Sequence, residues 1–120
     1  MEKKKTLVVG ASPKPDRYSY EAVVRLNIHG HSVYAYGLKE SEVMGIPIHT
    51  VWPEEWFDTV TLYLNPQRQK EYYDRIMGLK PNRVIFNPGT ENPEFMQKLQ
   101  ESGIGVEVAC TLVMLSIGNY

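Results

Sequence analysis

The sequence alternates short apolar runs, rich in valine and isoleucine, with segments in which apolar residues recur at helical spacing. Positions 7–9 form a buried strand pattern that ends at Gly10, and apolar positions 22, 23 and 26 mark one face of a helix over 20–29. Ser19 is the expected N-cap of that helix. Further strands are predicted at 32–36, 59–64, 83–86 and 105–109, with a short one at 46–48, and further helices from 66, from 92 and over 111–117.

Strands that alternate with helices predict a mainly parallel sheet covered on both faces by helices. Right-handed crossovers make this a doubly wound α/β fold with three layers, α/β/α. The 120 residues fit one domain, so a single domain is expected over 1–120. In such folds the ligand lies beyond the carboxyl ends of the strands, where the winding reverses. The loops concerned are 10–19, 37–42, 64–66, 87–92 and 109–111.

The loop after the first strand carries the residue types that bind phosphate. Gly10 ends the strand, Ser12 and Ser19 supply hydroxyls, and Lys14 and Arg17 supply positive charge. The helix that follows directs free N–H groups and the positive end of its dipole into the same space. These features suit a pyrophosphate, although a solvated connection stiffened by prolines has a similar composition. Only the first glycine of a GxGxxG motif is present, which counts against an ordinary NAD site.

The end of the second strand indicates which ribose the ligand carries. NAD-binding folds usually place an acidic residue there to hold the ribose hydroxyls. This chain has Lys39, which favours a phosphorylated ribose, as in coenzyme A (CoA) or NADP. Glu40 is adjacent, so an ordinary exposed lysine remains an alternative.

The first loop resembles that of a known family. The residues Val-Val-Gly-Ala-Ser at 8–12, followed by Pro15, Arg17, Ser19 and Tyr20, resemble the small stand-alone CoA-binding proteins. Those proteins are similar to the CoA-binding domain of the succinyl-CoA synthetase α subunit. The resemblance covers nearly the whole chain. It implies a five-stranded Rossmann-like sheet and CoA as the cofactor.

Three departures from the family pattern concern the ligand. The family often has Pro-x-Asn-Pro after the second strand, where this chain has Ala-Tyr-Gly-Leu at 35–38. It often has Trp and Gln where Ile85 and Asn87 stand, and an arginine where Leu64 and Asn65 stand. These positions would line the adenosine and pantetheine parts of the pocket, so the departures affect the expected ligand more than the expected fold.

Two further groups extend the candidate site. Asn87 and Thr90 are placed to bond the amides of a pantetheine arm, although the same residue types also build turns. Cys110 follows the last strand on the ligand edge, and its alternative role is that of a small buried apolar residue. No metal site is predicted. The candidate cofactor-binding residues are Gly10, Ala11, Ser12, Lys14, Arg17, Tyr18, Ser19, Gly37, Lys39, Asn65, Asn87, Gly89, Thr90 and Cys110.

Charge and cysteine content restrict the partners. The net charge of −1 argues against nucleic-acid binding, which needs a basic face. No apolar run approaches the roughly 20 residues of a membrane helix. The single cysteine cannot form an internal disulfide, so we expect a reducing, cytoplasmic location. The expected partner is a small-molecule nucleotide ligand, and a homo-oligomer or a protein partner remains open.

The sequence shows no set of nucleophile, base and orienting group. It therefore favours non-catalytic binding of CoA or an acyl-CoA, with the phosphates held at the Gly10–Ser19 loop and the helix N-terminus. Two alternatives remain. One is an NADP- or CoA-dependent enzyme subunit that needs a partner, and the other is an interaction domain whose nucleotide site has decayed.

Overall fold

The computed structural model describes residues 2–120 and contains a seven-stranded sheet. The strands are β1 (Thr6–Val9), β2 (Val33–Tyr36), β3 (Ser41–Val43), β4 (Ile46–His49), β5 (Thr59–Leu62), β6 (Arg83–Phe86) and β7 (Gly105–Val108). Their order across the sheet is β3-β4-β2-β1-β5-β6-β7. All neighbours are parallel except β3 and β4. The expected mainly parallel α/β sheet is confirmed, and the expected count of five strands is wrong.

The two additional strands form a hairpin at one edge of the sheet. β4 contains the short strand predicted at 46–48, whereas β3 lies in a stretch expected to be irregular. Met44 and Gly45 join them with φ angles of 49° and 85°. Two consecutive left-handed residues are typical of the tight turn that connects hairpin strands. β3 has only three residues, and the exposed Ser41 and Glu42 leave too little apolar pattern to reveal it.

The helices are α1 (Tyr18–Ile28), α2 (Pro66–Gln69), a 3-10 turn (Lys70–Tyr72), α3 (Tyr73–Leu79), α4 (Pro93–Glu101) and α5 (Thr111–Ile117). α1 begins earlier than expected, because Arg17 adopts the extended N-cap conformation and Ser19 lies inside the first turn. The helix predicted from Pro66 is interrupted by the 3-10 turn. It then continues through Gly78 and ends at Lys80, which is left-handed with φ 52°. Within residues 2–120, no helix has the length and apolarity needed to cross a bilayer.

Side chains of β1 alternate between two cores on opposite faces of the sheet. Leu7 and Val9 pack in the core that contains residues of α3 and α4, and Val8 packs in the core that contains residues of α1 and α5. The chain moves from β1 to β2 and β4 in one direction, then returns to β5 and moves to β6 and β7 in the other. The winding therefore reverses between β1 and β5, and the crevice for a ligand is expected beyond their carboxyl ends.

The opposite end of the sheet is closed by a buried ring pair. His31 and Tyr120 are 3% and 4% exposed, and their ring centroids are 4.8 Å apart. The Tyr120 hydroxyl lies 2.6 Å from the hydroxyl of Thr6, and Nδ1 of His31 accepts the N–H of Lys4 at 2.9 Å. Burial lowers the pKa of His31, and the nearby positive charge of Lys3 lowers it further. Folding thus favours the neutral imidazole.

Candidate functional site

The turn after β1 requires a glycine. Gly10 has φ +96°, and its N–H and that of Ala11 both donate to the carbonyl oxygen of Tyr36, at 3.0 and 2.9 Å. A Cβ on Gly10 would lie 3.0 Å from both the carbonyl carbon and the oxygen of Tyr63. The turn is therefore held by main-chain contacts to both neighbouring strands, which fixes where the following loop begins.

A second glycine brings the loops after β1 and β2 into contact. A Cβ on Gly37 would lie 2.5 Å from the carbonyl oxygen of Ala11 and 2.9 Å from Cγ2 of Ile48. Gly37 also donates its N–H to the carbonyl oxygen of His49 at 2.9 Å. Close packing, and not left-handed backbone, is what requires a glycine at this position.

A cavity of about 610 Å³ opens at the carboxyl ends of β1, β2, β5 and β6. Its volume lies within the range of roughly 300–1,000 Å³ that is usual for small-molecule and cofactor sites. The structure brings most of the predicted ligand residues into its wall. They are Gly10, Ala11, Ser12, Lys14, Arg17, Tyr18, Ser19, Gly37, Lys39, Asn65, Gly89 and Thr90.

Two predicted residues do not line this cavity. Asn87 is 2% exposed, and its amide nitrogen donates to the Thr61 hydroxyl at 2.7 Å and to the Leu62 carbonyl oxygen at 2.9 Å. Its amide oxygen accepts the N–H of Thr111 at 2.9 Å. Asn87 therefore ties β5, β6 and α5 together. Cys110 is half-buried at the start of α5, also outside the cavity wall.

Several polar residues of the wall also support the loops. The Ser12 hydroxyl accepts the N–H of Lys14 at 3.2 Å, and the Asn65 side chain caps α2. Thr90 donates its hydroxyl proton to the carbonyl oxygen of Asn87 at 2.8 Å. Thr90 can therefore still accept a hydrogen bond from a ligand but has no proton left to donate.

Sequence reasoning missed an aromatic side of the cavity. Tyr36 and Tyr72 both line it, with ring centroids 5.7 Å apart and hydroxyl oxygens 3.4 Å apart. Trp52, which does not line the cavity, stacks on Tyr72 with ring centroids 5.6 Å apart. Burial and the hydrogen bond to Tyr36 raise the pKa of Tyr72 to about 12. Tyr36 was recognisable as the last residue of a strand, but Tyr72 was expected only as part of the buried helix face.

The cavity wall is positively charged. It contains Lys14, Arg17, Lys39 and Arg68, and it contains no aspartate or glutamate. None of these four side chains forms an ion pair with any part of the chain that the structure describes. The sequence as a whole carries a net charge of −1, so this concentration of unpaired cations is local. Such a wall attracts an anionic ligand.

The first turn of α1 adds backbone donors to the same wall. Tyr18 and Ser19 form its first two positions and line the cavity. Within residues 2–120, no side chain caps this helix end. Unsatisfied N–H groups and the positive end of the helix dipole favour an anion at such a position.

A glycine turn, an uncapped helix N-terminus and unpaired cations thus meet at the point where a doubly wound sheet reverses. These are the features of Rossmann-like nucleotide-binding proteins. The chain belongs to the CoA binding domain family, whose model matches residues 4–116. A search of the curated proteins returned no match.

Solved structures support the same fold. A crystal structure of an uncharacterized protein is similar over 100% of both chains, with 51% sequence identity and a TM-score of 0.96. A hypothetical protein from Pyrococcus horikoshii OT3 is 30% identical over 96% of this chain and 83% of its own, with a TM-score of 0.85. The cell-free protein ID.343 from Thermus thermophilus shares the fold at 24% identity, with a TM-score of 0.84 over 98% of this chain and 91% of its own.

Proposed function

We propose that this chain binds CoA or an acyl-CoA in the cavity at the β1–β5 reversal and catalyses no reaction by itself. The observation that carries the proposal is a cavity wall with four unpaired cations and no carboxylate, in a member of the CoA binding domain family. CoA is strongly anionic, with a diphosphate and a separate phosphate on its ribose. Its charge matches a wall of this kind.

Each part of CoA has a matching part of the wall. The diphosphate is assigned to the 10–19 loop and the start of α1, where backbone N–H groups and Arg17 are available. The ribose phosphate is assigned to Lys39, beyond the end of β2. The pantetheine arm is assigned to Gly89 and Thr90, where a Cβ on Gly89 would meet no atom within 4 Å. That open space leaves room for an extended arm beside Gly89, whose N–H already donates to the Glu91 carboxylate at 2.8 Å.

The side chains of the wall favour binding over catalysis. A general acid or base works best with a pKa near the working pH. The wall contains no histidine or carboxylate, and burial raises the pKa of both Tyr63 and Tyr72, so that both phenols stay protonated near neutrality. This supports a carrier, sensor or subunit role. An NADP- or CoA-dependent reaction would need groups from a partner.

Thermal unfolding with CoA, acetyl-CoA, dephospho-CoA, NADP and NAD tests the proposal. CoA at about 100 times its dissociation constant should stabilise the protein by roughly 2.7 kcal/mol. Dephospho-CoA should stabilise it less, because it lacks the phosphate assigned to Lys39. Stabilisation by NADP alone would favour the enzyme-subunit alternative. No stabilisation by any of the five would favour an interaction domain with a decayed site.

A pair of variants tests the assignment of Lys39. Lys39→Ala should remove most of the difference between CoA and dephospho-CoA. Lys98→Ala, which removes the same charge from α4 outside the cavity wall, should preserve that difference. Equal binding of the two ligands by the unsubstituted protein would remove the role assigned to Lys39.

A further inference from the structure

Arg68 is a cation of the cavity wall that the sequence motif does not include. The chain has five arginines. Arg25, Arg75 and Arg83 each face a partner within the fold, which is a carboxylate or an aromatic ring. The side chains of Arg17 and Arg68 have no hydrogen-bond or ion-pair partner within residues 2–120, and both line the cavity.

Hydrogen bonds from buried and neighbouring side chains fix the backbone that carries Arg68. The Asn65 side chain accepts the N–H of Arg68 at 2.9 Å. The next residue, Gln69, is fully buried, and its amide nitrogen donates to the carbonyl oxygens of Leu64 and Thr90, each at 2.8 Å. These bonds tie α2 to the loop after β6. Arg68 therefore projects from a fixed support even though its side chain is exposed.

Topology places Arg17 and Arg68 on opposite sides of one crevice. Val9 and Leu62 are register partners on the adjacent strands β1 and β5, whose axes lie about 4.8 Å apart. From β1 the chain enters α1, which packs in the core on one face of the sheet. From β5 it enters α2 and α3, and α3 packs in the core on the other face.

We infer that Arg68 and Arg17 together hold the diphosphate of the ligand, one guanidinium from each helix layer. The inference rests on the proposed function, since it assumes a CoA-type ligand in this cavity. A guanidinium matches phosphate oxygens through two parallel N–H donors. Two such groups in one cavity wall, one from each side of the sheet, suit a linker that carries two charges. Arg68 thereby supplies a cation on the β5 side, where Leu64 and Asn65 supply none.

Calorimetry on Arg68→Ala tests the inference, with Lys70→Ala as the matched control. Lys70 carries the same charge two residues along the chain but does not line the cavity. Arg68→Ala should weaken CoA and dephospho-CoA by the same factor, about 10- to 150-fold, because both ligands carry the diphosphate. Lys70→Ala should bind both ligands like the unsubstituted protein. Melting temperatures without ligand should stay equal for all three proteins, since both replaced side chains are exposed and form no ion pair within residues 2–120.

The outcomes separate this inference from the proposed function. Unchanged CoA affinity in Arg68→Ala overturns the inference alone, provided that the unsubstituted protein binds CoA. A loss confined to CoA, with dephospho-CoA unaffected, also overturns it, because Arg68 would then contact the ribose phosphate. An equal loss in Lys70→Ala would show that any nearby positive charge has the same effect, and would overturn the inference as well. Absence of CoA binding by the unsubstituted protein overturns the proposed function and the inference together.

Discussion

Replacing Gly37 with alanine should loosen both the fold and the ligand site. The new Cβ would lie 2.5 Å from the carbonyl oxygen of Ala11 and 2.9 Å from Cγ2 of Ile48. Contacts this short force the main chain after β1 or after β2 to move. Overpacking of this kind costs about 1–3 kcal/mol. Gly37 does not have a positive φ, so the cost comes from packing and not from backbone strain.

Gly78→Ala is the matched control, since it adds the same methyl group in open space. Gly78 is exposed within α3, and no atom lies within 4 Å of its added Cβ. Alanine in a helix is more favourable than glycine by about 0.5–1 kcal/mol. The two substitutions should therefore change the free energy of unfolding in opposite directions, Gly37→Ala lowering it and Gly78→Ala raising it.

Thermal and urea unfolding measure the difference between these variants. For a domain of this size, a change of 1 kcal/mol shifts the melting temperature by roughly 4 °C. Gly37→Ala should thus melt about 4–12 °C lower. It should also bind CoA more weakly than Gly78→Ala, because Ala11 and Gly37 both form the cavity wall. A Gly37→Ala protein with unchanged stability and unchanged CoA affinity would refute the close packing of the two loops.

Four further outcomes are expected. Arg17→Ala should weaken CoA binding by about 10- to 150-fold with little change in melting temperature, and unchanged affinity by calorimetry would place the diphosphate elsewhere. The free energy of unfolding should fall as the pH drops below 6.5, because His31 has a lowered pKa in the folded state and takes up a proton more readily in the unfolded state. His31→Gln should flatten this pH dependence, and an equally steep curve for the variant would exclude His31 as its source. Labelling of Cys110 by a thiol reagent should be as fast with CoA as without it, since the thiol lies outside the cavity wall, and protection by CoA would contradict that position. In Trp56→Phe protein, CoA should change the fluorescence of Trp52, which stacks on the cavity residue Tyr72, and a constant emission would show that the ligand does not reach the aromatic side.

The sequence predicted the parallel core of the sheet because each central strand is an apolar run next to a helical pattern. β3 was not predicted, because its three residues, two of them polar and exposed, show no recognisable hydrophobic periodicity. Its turn was also obscured, since Met44 adopts a positive φ that sequence rules reserve for glycine or asparagine. Local pattern thus identified the elements that bury side chains and failed where main-chain pairing alone defines a strand.

In the candidate site, too, some residues could be predicted from the sequence and others could not. The loop at 10–19 could be singled out because its residues are contiguous and are of the types that bind phosphate. Arg68 and Tyr72 could not, because they lie in a helical segment outside the strand-end loops where the sequence locates a ligand. The position of Asn87 outside the cavity wall could not be read from the sequence. A buried amide that satisfies three backbone and side-chain partners has the same sequence context as one that faces a ligand.

The N–H groups of Gly10 and Ala11, which share the carbonyl oxygen of Tyr36, fix the course of the first loop independently of most of its side chains. Gly10 and Ala11 are fixed by main-chain atoms, and the Ser12 hydroxyl accepts the N–H of Lys14, so the turn does not depend on the side chains at 13–17. Those side chains are mostly exposed, and exposed substitutions usually change stability by less than about 0.5 kcal/mol. The loop can therefore accept new charges and hydroxyls at little cost to folding. Ligand preference in this scaffold is open to redesign by exchanging residues 13–17 while the sheet beneath them stays the same.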